Sequence, residues 1–319
     1  MNKVFTDGLS FALPLLIMAI GALYSEKSGV TNLAVEGFQG VGAFFGALAA
    51  TLLSPLLGSG NQLIIYLAIL CAAAGGALFS CIHGLLCIRF RANQVISGVV
   101  INILSVALTA FFTSAANTAI NGTASNKFVL DVSTRFTVPL LSGIPWIGGL
   151  FTDMYPFEII IAVLAAMMWY LMNRTRFGMR LRACGENPQA VDAAGANVTR
   201  IRWAAVVISG ALSGIGGICF AYSLLGNFSP SIYQGFGYLA IAAMIFGNWN
   251  IGPTILACLF FGLAKSGGLQ LCIAVQLPSK YTDLFLMLPY VLTLLMLVFF
   301  SKRNHPPKAA GEPWDKSKR

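Results

Sequence analysis

Residues 203–264 read WAAVVISGALSGIGGICFAYSLLGNFSPSIYQGFGYLAIAAMIFGNWNIGPTILACLFFGLA, a stretch that contains no Asp, Glu, Lys, Arg or His. The whole chain is 57% hydrophobic and 10% charged, with a mean hydropathy of +0.78, whereas soluble domains usually have about 25% charged residues. Because water would not keep so apolar a chain folded, we expect its solvent to be lipid. A helix needs about 20 predominantly apolar residues to cross a bilayer, so this stretch alone predicts more than one membrane helix.

Nine apolar segments follow one another along the chain and predict an all-α polytopic membrane protein. They are residues 9–24, 33–57, 62–88, 94–116, 155–173, 203–225, 235–247, 251–270 and 282–300. The second segment is long and Gly-rich, so it is compatible with one broken helix or with two half-helices, and we expect 9–10 transmembrane helices. The first segment has the length of a signal peptide, but Pro14 interrupts it and Lys3 is its only basic flank, which favours a retained helix.

Basic residues indicate the orientation, because cytoplasmic loops of membrane proteins carry an excess of Lys and Arg. They cluster at residues 174–202, in the short turn that contains Arg89 and Arg91, and in the tail. Alternating the nine segments places all three clusters in the cytoplasm and the N-terminus outside. The sequence therefore predicts a multi-pass protein of the cell membrane, with a single transmembrane domain over 1–301 and a cytoplasmic, disordered basic tail over 302–319.

Several function classes fit the composition poorly. The net charge of +9 lies in loops and tail, as the positive-inside rule predicts, so we expect no nucleic-acid partner. The seven cysteines include no CxxC pair, which predicts neither disulfides nor a metal site. The two histidines are His83, in an apolar segment, and His305, in the tail; no segment has paired carboxylates. We therefore expect no enzyme and interpret His83 as a hydrogen-bonded packing residue.

The cationic loop at 174–202 carries the pattern of a short capped helix. Asn187 is a favourable N-cap, Pro188 suits the first helical position, and Gly195 is a natural terminator. The intervening PQAVDAA would form about two helical turns, too short to span a membrane and too polar to insert. The pattern predicts a docking helix on the cytoplasmic surface; the alternative is an ordinary basic loop that binds anionic lipid.

An internal similarity links two apolar runs, EGFQGVGAFFGALAA from Glu36 and QGFGYLAIAAMIFGN from Gln234. Each run is punctuated by glycine and opens with a polar residue followed by GF. In the predicted topology the two runs cross the membrane in opposite directions. Inverted repeats with broken helices are typical of transporters and indicate a site at the bilayer midplane, although Gly/Ala-rich packing faces also resemble one another.

Four further motifs span most of the chain from Gly29 to Pro253. They read GVTNLAVEGFQGVGAF, RANQVISGVVIN, TRFGMRLRACGENPQAVDAAGANVTRIR and GFGYLAIAAMIFGNWNIGP. They resemble ABC-importer permeases of the branch that serves simple sugars, nucleosides and branched-chain amino acids, and the third motif is similar to that family's cytoplasmic coupling loop. Sugar-type relatives typically read more like DLSVG where this chain has NLAVEG, with Asn32 and Glu36. This difference favours the nucleoside permeases.

The resemblance implies a permease subunit of an ABC importer that moves nucleosides across the cell membrane. A sugar or other small-solute ABC permease is one alternative, and an ion-coupled secondary transporter with Glu36 in a carboxylate relay is another. The chain has no GxxxxGK[ST] phosphate loop, and GLAKSG around Lys265 lacks the Gly-Lys step. We therefore expect no cofactor on this chain and ATP on a partner. The implied partners are an ABC ATPase subunit, a second and different but related permease, an extracytoplasmic substrate-binding protein and the lipid bilayer.

Two sets of site residues follow from the loop pattern and the resemblance. The ATPase-coupling set is Gly185, Glu186, Asn187, Pro188, Ala190, Val191, Ala194 and Gly195. The substrate-pathway set offers rings to stack a base and polar groups to bind its edge and its ribose: Asn32, Glu36, Phe38, Gln39, Asn93, Gln94, Asn102, Tyr233, Gln234, Phe236 and Tyr238. For the aromatic residues, the alternative is packing or an aromatic belt at the membrane interface; for Glu36, the alternative is an interfacial carboxylate at a helix N-terminus. We expect the two GF-containing segments to meet at the midplane.

Overall fold

The computed structural model describes residues 2–58, 60–130, 135–142, 152–231, 235–276, 278, 285–300 and 304–316. Over these residues the chain is a helical bundle with a single pair of short strands. The helices are α1 (Asn2–Lys27), α2 (Val35–Leu57), α3 (Gln62–Gly84), α4 (Gln94–Asn121), α5 (Pro139–Ser142), α6 (Pro156–Arg174), α7 (Arg176–Glu186), α8 (Pro188–Ala193), α9 (Val198–Phe220), α10 (Phe236–Phe246), α11 (Ile251–Ala274) and α12 (Leu288–Phe300). Strands β1 (Phe128–Val129) and β2 (Asn227–Phe228) pair antiparallel.

Seven helices of the described part are long and apolar enough to cross a membrane, namely α1, α2, α3, α4, α6, α9 and α11. Helix α10 is a shorter apolar helix, and α12 is apolar as well. These helices confirm the predicted all-α polytopic membrane protein. The second apolar segment forms one continuous helix, α2, and the chain is non-helical immediately before it, at residues 28–34. The inverted repeat stays a prediction.

Helix α1 lies at the centre of the bundle. It packs mainly against α9 and α11, and also against α6, α10 and α7. Leu15, Ile17 and Met18 are fully buried, as expected of a helix that is hydrophobic on every side. Elsewhere in the bundle, glycines allow α2 and α9 to pack closely against each other. A side chain on Gly42 of α2 would overlap the backbone of Gly214 on α9. Small residues serve the same purpose in many membrane bundles.

The bundle has two ends of different character. One end, which we call the basic end, consists of α7, α8, the turn with Arg89 and Arg91, and residues 304–316. The opposite end holds the N-termini of α1 and α6, where the Ser10 hydroxyl donates to Glu158 Oε1 at 2.6 Å. Since α1 runs from one end to the other, its last residue, Lys27, lies beside α7.

The tail differs from the disorder expected for it, because residues 304–316 lie against the basic end. The amide of Ala309 donates to the Gly185 carbonyl at 2.8 Å, and the amide of Gly311 donates to the Gly29 carbonyl at 3.3 Å. Arg91 and Asp315 form a bidentate ion pair with N–O distances of 2.6 and 3.1 Å. The polar composition of the tail gives no sign of these contacts, because they are made by backbone groups and single charges and not by a hydrophobic stripe.

Candidate functional site

Helix α8 forms as its capping residues predict. The Asn187 side chain accepts a hydrogen bond from the Ala190 amide at 3.0 Å, and Pro188 is the first helical residue. After the helix, Gly195 adopts a left-handed φ of +80°, which glycine accepts without steric cost. The predicted N-cap, first turn and terminator are therefore confirmed.

Exposure divides the predicted coupling set into two groups. Gly185, Pro188 and Val191 are buried and hold the segment against the bundle. The exposed members are Glu186, Asn187, Ala190, Ala194 and Gly195. A partner that docks on α8 would therefore meet the second group.

Helix α7 is an element that the sequence analysis did not identify. Its N-cap, Thr175, accepts from the Gly178 amide at 3.2 Å, and its residues Leu181 and Cys184 are fully buried. The dense arginines suggested a loop, although the helical spacing of the apolar residues Phe177, Leu181 and Cys184 was the available signal. Burial raises the pKa of the Cys184 thiol, so a smaller fraction of it is thiolate at a given pH than of an exposed cysteine.

Arg202 lies inside α9, so the cationic loop ends at Asn197 and not at residue 202 as expected. The Asn197 side chain caps α9 by accepting from the Arg200 amide at 3.0 Å. Arg202 is 2% exposed and donates to the carbonyls of Ser28 at 3.2 Å and Glu312 at 2.8 Å. A buried cation thus joins α9, the α1–α2 connection and the tail.

The two GF-containing segments meet through the carboxylate of Glu36. Its Oε1 accepts from the Gly235 amide at 2.8 Å, and its Oε2 accepts from the Gly237 amide. A carboxylate at a helix N-terminus is favoured by the helix dipole, and here it is the N-terminus of α10. A side chain on Gly237 would overlap Glu36. The expected contact between the two segments is confirmed; their role in a pathway stays a prediction.

Asn102 of α4 completes this junction. Its Oδ1 accepts from the Gly37 amide at 2.8 Å, and its Nδ2 donates to the Leu33 carbonyl and to the Tyr238 hydroxyl, both at 2.8 Å. Each bond reaches a different part of the chain, because Gly37 lies in the first turn of α2, Leu33 precedes α2 and Tyr238 lies in α10. The predicted residues Glu36, Asn102 and Tyr238 are therefore brought together. We call this group, with Gly235 and Gly237, the Glu36 junction.

The side chains of three other predicted residues, Asn32, Asn93 and Gln94, each accept a hydrogen bond from a backbone amide. Asn93 is exposed and caps α4, accepting from the Val95 and Ile96 amides at 3.0 and 3.1 Å. The Gln94 side chain accepts from the Thr31 amide at 2.6 Å. Asn32 accepts from the Ala34 amide at 3.0 Å and donates to Ser209 at 2.9 Å. These contacts stabilise the connections before α2 and α4.

Phe38 and Gln39 are fully buried in α2. The Phe38 ring packs edge-on against Phe79 and against His83, with centroid distances of 6.4 and 6.1 Å. His83 lies 2.9 Å from the Ser97 hydroxyl through Nδ1, the environment of a packing histidine. Neither amide atom of Gln39 has a hydrogen-bond partner among the described residues. The predicted residues Tyr233 and Gln234 lie outside the described part of the chain.

Phe236 belongs to an aromatic cluster that the sequence did not reveal. Its ring centroid lies 4.8 Å from that of Phe220 and 5.3 Å from that of Phe11. The Lys265 ammonium lies over two of these rings, 3.9 Å from the Phe11 centroid and 4.4 Å from the Phe236 centroid. This lysine lies within α11, and its contacts are with rings of α1 and α10. Such cation–π contacts are favourable when partly desolvated.

Comparison with known proteins identifies the family. Residues 4–297 match the family described as the branched-chain amino acid transport system permease component. The guanosine ABC transporter permease protein NupQ of Bacillus subtilis is 38% identical over 98% of this chain and 96% of its own length. The nucleoside ABC transporter permease protein NupC of Lactococcus lactis is 38% identical over 99% and 97%.

A third relative is a second guanosine permease protein of Bacillus subtilis, NupP, which is 29% identical over 85% of this chain and 75% of its own length. No solved structure was found to match the chain. A family match of this extent, together with two relatives covered almost completely, identifies a transporter subunit and not an enzyme. The chain therefore belongs to the branched-chain amino acid transport system permease family, and it is a multi-pass permease component of an ABC importer.

Proposed function

We propose that this permease moves nucleosides across the cell membrane, while a separate subunit hydrolyses ATP. The observation that carries the proposal is its similarity, over nearly the full length, to relatives named for guanosine and for nucleosides. The chain contains no phosphate-binding loop, which fits ATP hydrolysis on another polypeptide. Ring-bearing and hydrogen-bonding side chains at the Glu36 junction suit a solute that has both a flat base and a polar ribose.

The basic end would lie in the cytoplasm, together with the C-terminus. Arg180 and Arg182 of α7 are exposed there, as are Arg89 and Arg91 of the α3–α4 turn. The positive-inside rule favours this orientation. The N-terminus of α1 would then lie on the outer side, where a substrate-binding protein delivers the solute.

The exposed face of α8 would dock into a cleft on the ATPase. Ala190 is exposed within α8, and the flanking residues Glu186, Asn187, Ala194 and Gly195 are exposed as well. The buried Val191 and Pro188 fix the helix to the bundle. Closure of the ATPase would push α8, and the contacts of Gly185 with Lys27 and the tail would pass the movement to α1 and α9.

A second, related permease would complete the membrane part of the importer. Bacillus subtilis has two relatives named as guanosine permease proteins, NupQ and NupP, which match this chain to different degrees. This difference supports a heterodimer of two permeases. An extracytoplasmic binding protein would supply affinity for the solute, so the permease itself needs only moderate contacts.

The pathway would pass the Glu36 junction and the ring of Phe236. Glu36, Asn102 and Tyr238 supply hydrogen-bonding groups there, and Phe236 supplies a ring. The other members of the proposed pathway set are Asn32, Phe38, Gln39, Asn93, Gln94, Tyr233 and Gln234.

Uptake by a reconstituted importer tests the proposal. Proteoliposomes that contain this chain, the second permease and the ATPase, supplied with the binding protein, should accumulate labelled guanosine when ATP is inside and no ion gradient is present. Vesicles with a catalytically inactive ATPase are the control. Uptake by this chain alone under a proton gradient, or ATP-driven uptake of sugars but of no nucleoside, would contradict the proposal.

A further inference from the structure

Two buried carboxylates hold helix α10 at its two ends. Before its first turn, Glu36 accepts from the amides of Gly235 and Gly237. Past its last turn, Glu26 Oε2 accepts from Trp249 Nε1 at 3.3 Å. Glu26 lies in α1 and Glu36 in α2, on either side of the α1–α2 connection, and their exposed fractions are 6% and 7%. The helix between them has 11 residues, a length of about 16 Å, and is therefore fixed at both ends to the same part of the chain.

The turn between α10 and α11, residues 247–250, has an unusual backbone. Asn248 and Trp249 have φ angles of +48° and +53°. Asparagine accepts this left-handed conformation, but a bulky residue such as Trp249 adopts it rarely. Strained residues of this kind persist only where their surroundings fix them, and they cluster at functional and switch regions. The Glu26 carboxylate, bound to the Trp249 indole, is part of what fixes this turn.

Glu26 also belongs to the end of α1 that contacts the coupling set. The carbonyl of Lys27, the next residue, lies so close to Gly185 that a side chain on Gly185 would overlap it. The second oxygen of Glu26, Oε1, accepts from the Asn32 amide at 3.3 Å. A displacement of Gly185 would therefore reach the turn after α10 through two adjacent residues of α1.

The tail makes a second connection between the same two places. The His305 amide donates to Asn248 Oδ1 at 2.8 Å, and the Ala309 amide donates to the Gly185 carbonyl at 2.8 Å. Two prolines lie between these contacts, and because the proline ring fixes φ, this short piece of the tail is stiffer than an ordinary chain. The turn after α10 is thus tied to Gly185 by two separate routes.

We propose that α10 is the lever that carries the ATP-driven movement from the coupling set to the Glu36 junction, through Glu26 and through the tail. Glu26 and Trp249 are positioning residues, because their hydrogen bond ties one end of α10 to α1 while Glu36 holds the other end. A tilt of α10 then displaces the Phe236 ring, which is the first residue of the helix. This role rests on the proposed function, in which the ATPase moves α8.

The test measures how much guanosine the complete reconstituted importer transports for each ATP hydrolysed. Trp249→Phe removes the indole N–H, and Glu26→Gln leaves one acceptor oxygen for two donors. We expect each variant to lower the guanosine transported per ATP at least threefold, with ATP hydrolysis within twofold of wild type. The double variant should be no worse than the single ones, because both changes break the same bond. Trp169→Phe is the matched control, since Trp169 is 43% exposed on α6, and it should keep the wild-type ratio.

Three results would overturn the inference alone, in an importer whose wild type transports guanosine with ATP. They are wild-type ratios for both single variants, a parallel loss of uptake and ATP hydrolysis, and losses that multiply in the double variant. Absence of ATP-driven nucleoside uptake by the wild type would overturn the proposed function instead.

A second pair of variants covers the case in which the buried substitutions fail to accumulate. His305 is exposed, and His305→Pro removes the amide that donates to Asn248, whereas His305→Ala removes only the side chain. We expect His305→Pro to transport at least twofold less guanosine per ATP than His305→Ala, with equal amounts of both in the membrane. Equal ratios for these two variants would overturn the inference.

Discussion

The basic end and the Glu36 junction are built on opposite principles. At the basic end, helices begin and end with local caps, and Glu186, Asn187 and Ala190, in and just before α8, are exposed to water. At the junction, Glu36 is 7% exposed and its bonds reach across about two hundred residues of chain to Gly235 and Gly237. Exposed groups exchange partners at low cost, whereas buried polar groups must stay paired. The first region is therefore suited to docking, and the second to holding two membrane segments in register.

Replacing Glu36 should reduce uptake and thermal stability most, because it removes the buried carboxylate that joins the two GF-containing segments. Glu36→Ala leaves the amides of Gly235 and Gly237 unpaired, and each orphaned buried donor costs about 1–3 kcal/mol. We expect uptake to fall to background and the purified protein to unfold at a lower temperature. Asp153→Asn is the matched control, since Asp153 is exposed and its φ of +52° is one that asparagine tolerates. Wild-type uptake and melting temperature for Glu36→Ala would show that the junction is not required.

Gly185→Leu should disturb the basic end while leaving the Glu36 junction intact. A side chain at this position would overlap the Lys27 carbonyl and contact Pro307 of the tail at 3.2 Å. We expect ATP-driven uptake to fall more than tenfold, while the protein remains in the membrane and still assembles with the second permease. Uptake, ATPase activity and membrane content should be measured together. If uptake and ATP hydrolysis both stay at wild-type levels, Gly185 has no part in coupling.

Loss of the Arg91–Asp315 ion pair should have a moderate effect. Arg91 is about half exposed in this pair, and exposed ion pairs contribute only ~0–1 kcal/mol. We therefore expect Arg91→Ala to lower uptake by no more than about fivefold, and limited proteolysis to cut the tail faster. The charge-reversed pair Arg91→Asp with Asp315→Arg should restore protection of the tail. Equal proteolysis of Arg91→Ala and wild type would mean that the ion pair does not hold the tail.

Modification of Cys184 should show the smallest effect. Its rate tests whether this buried part of the basic end stays packed against the bundle. Burial raises the pKa of its thiol, so the reactive thiolate is scarcer at a given pH than in an ordinary exposed cysteine. We expect maleimide to modify Cys184 slowly in the folded protein at pH 7–8, faster as the pH rises, and completely after denaturation. Peptide mass spectrometry would measure it. Rapid modification at neutral pH would show that α7 detaches from the bundle.

The sequence predicted what depends on local chain chemistry. Apolar length located the membrane helices, and Asn187, Pro188 and Gly195 placed α8 within a residue of its bounds. The sequence also singled out Glu36 and the GF-containing segments, because a carboxylate in an apolar run is unusual. It predicted that these segments meet, since their similarity suggested equivalent positions in two halves.

Long-range contacts were the part that the sequence did not show. Nothing near Lys265 indicates that its ammonium lies over Phe11 of α1 and Phe236 of α10, because that contact depends on three helices meeting. The order of the tail depends in the same way on carbonyl groups at Gly29 and Gly185, which carry no sequence signal. Helix α7 was missed for a different reason: its arginines outweighed a periodic pattern that was present.

The central claim is that the basic end is the surface on which the ATPase docks, and crosslinking from α8 tests it most directly. Ala190 is exposed and its neighbour Val191 is 6% exposed, so Ala190→Cys and Val191→Cys form a matched pair. The account predicts that Ala190→Cys crosslinks to a cysteine in a cleft of the ATPase and that Val191→Cys does so far less. A complex that transports nucleosides at wild-type rates but yields no crosslink from Ala190→Cys, or equal crosslinking from both positions, would contradict it.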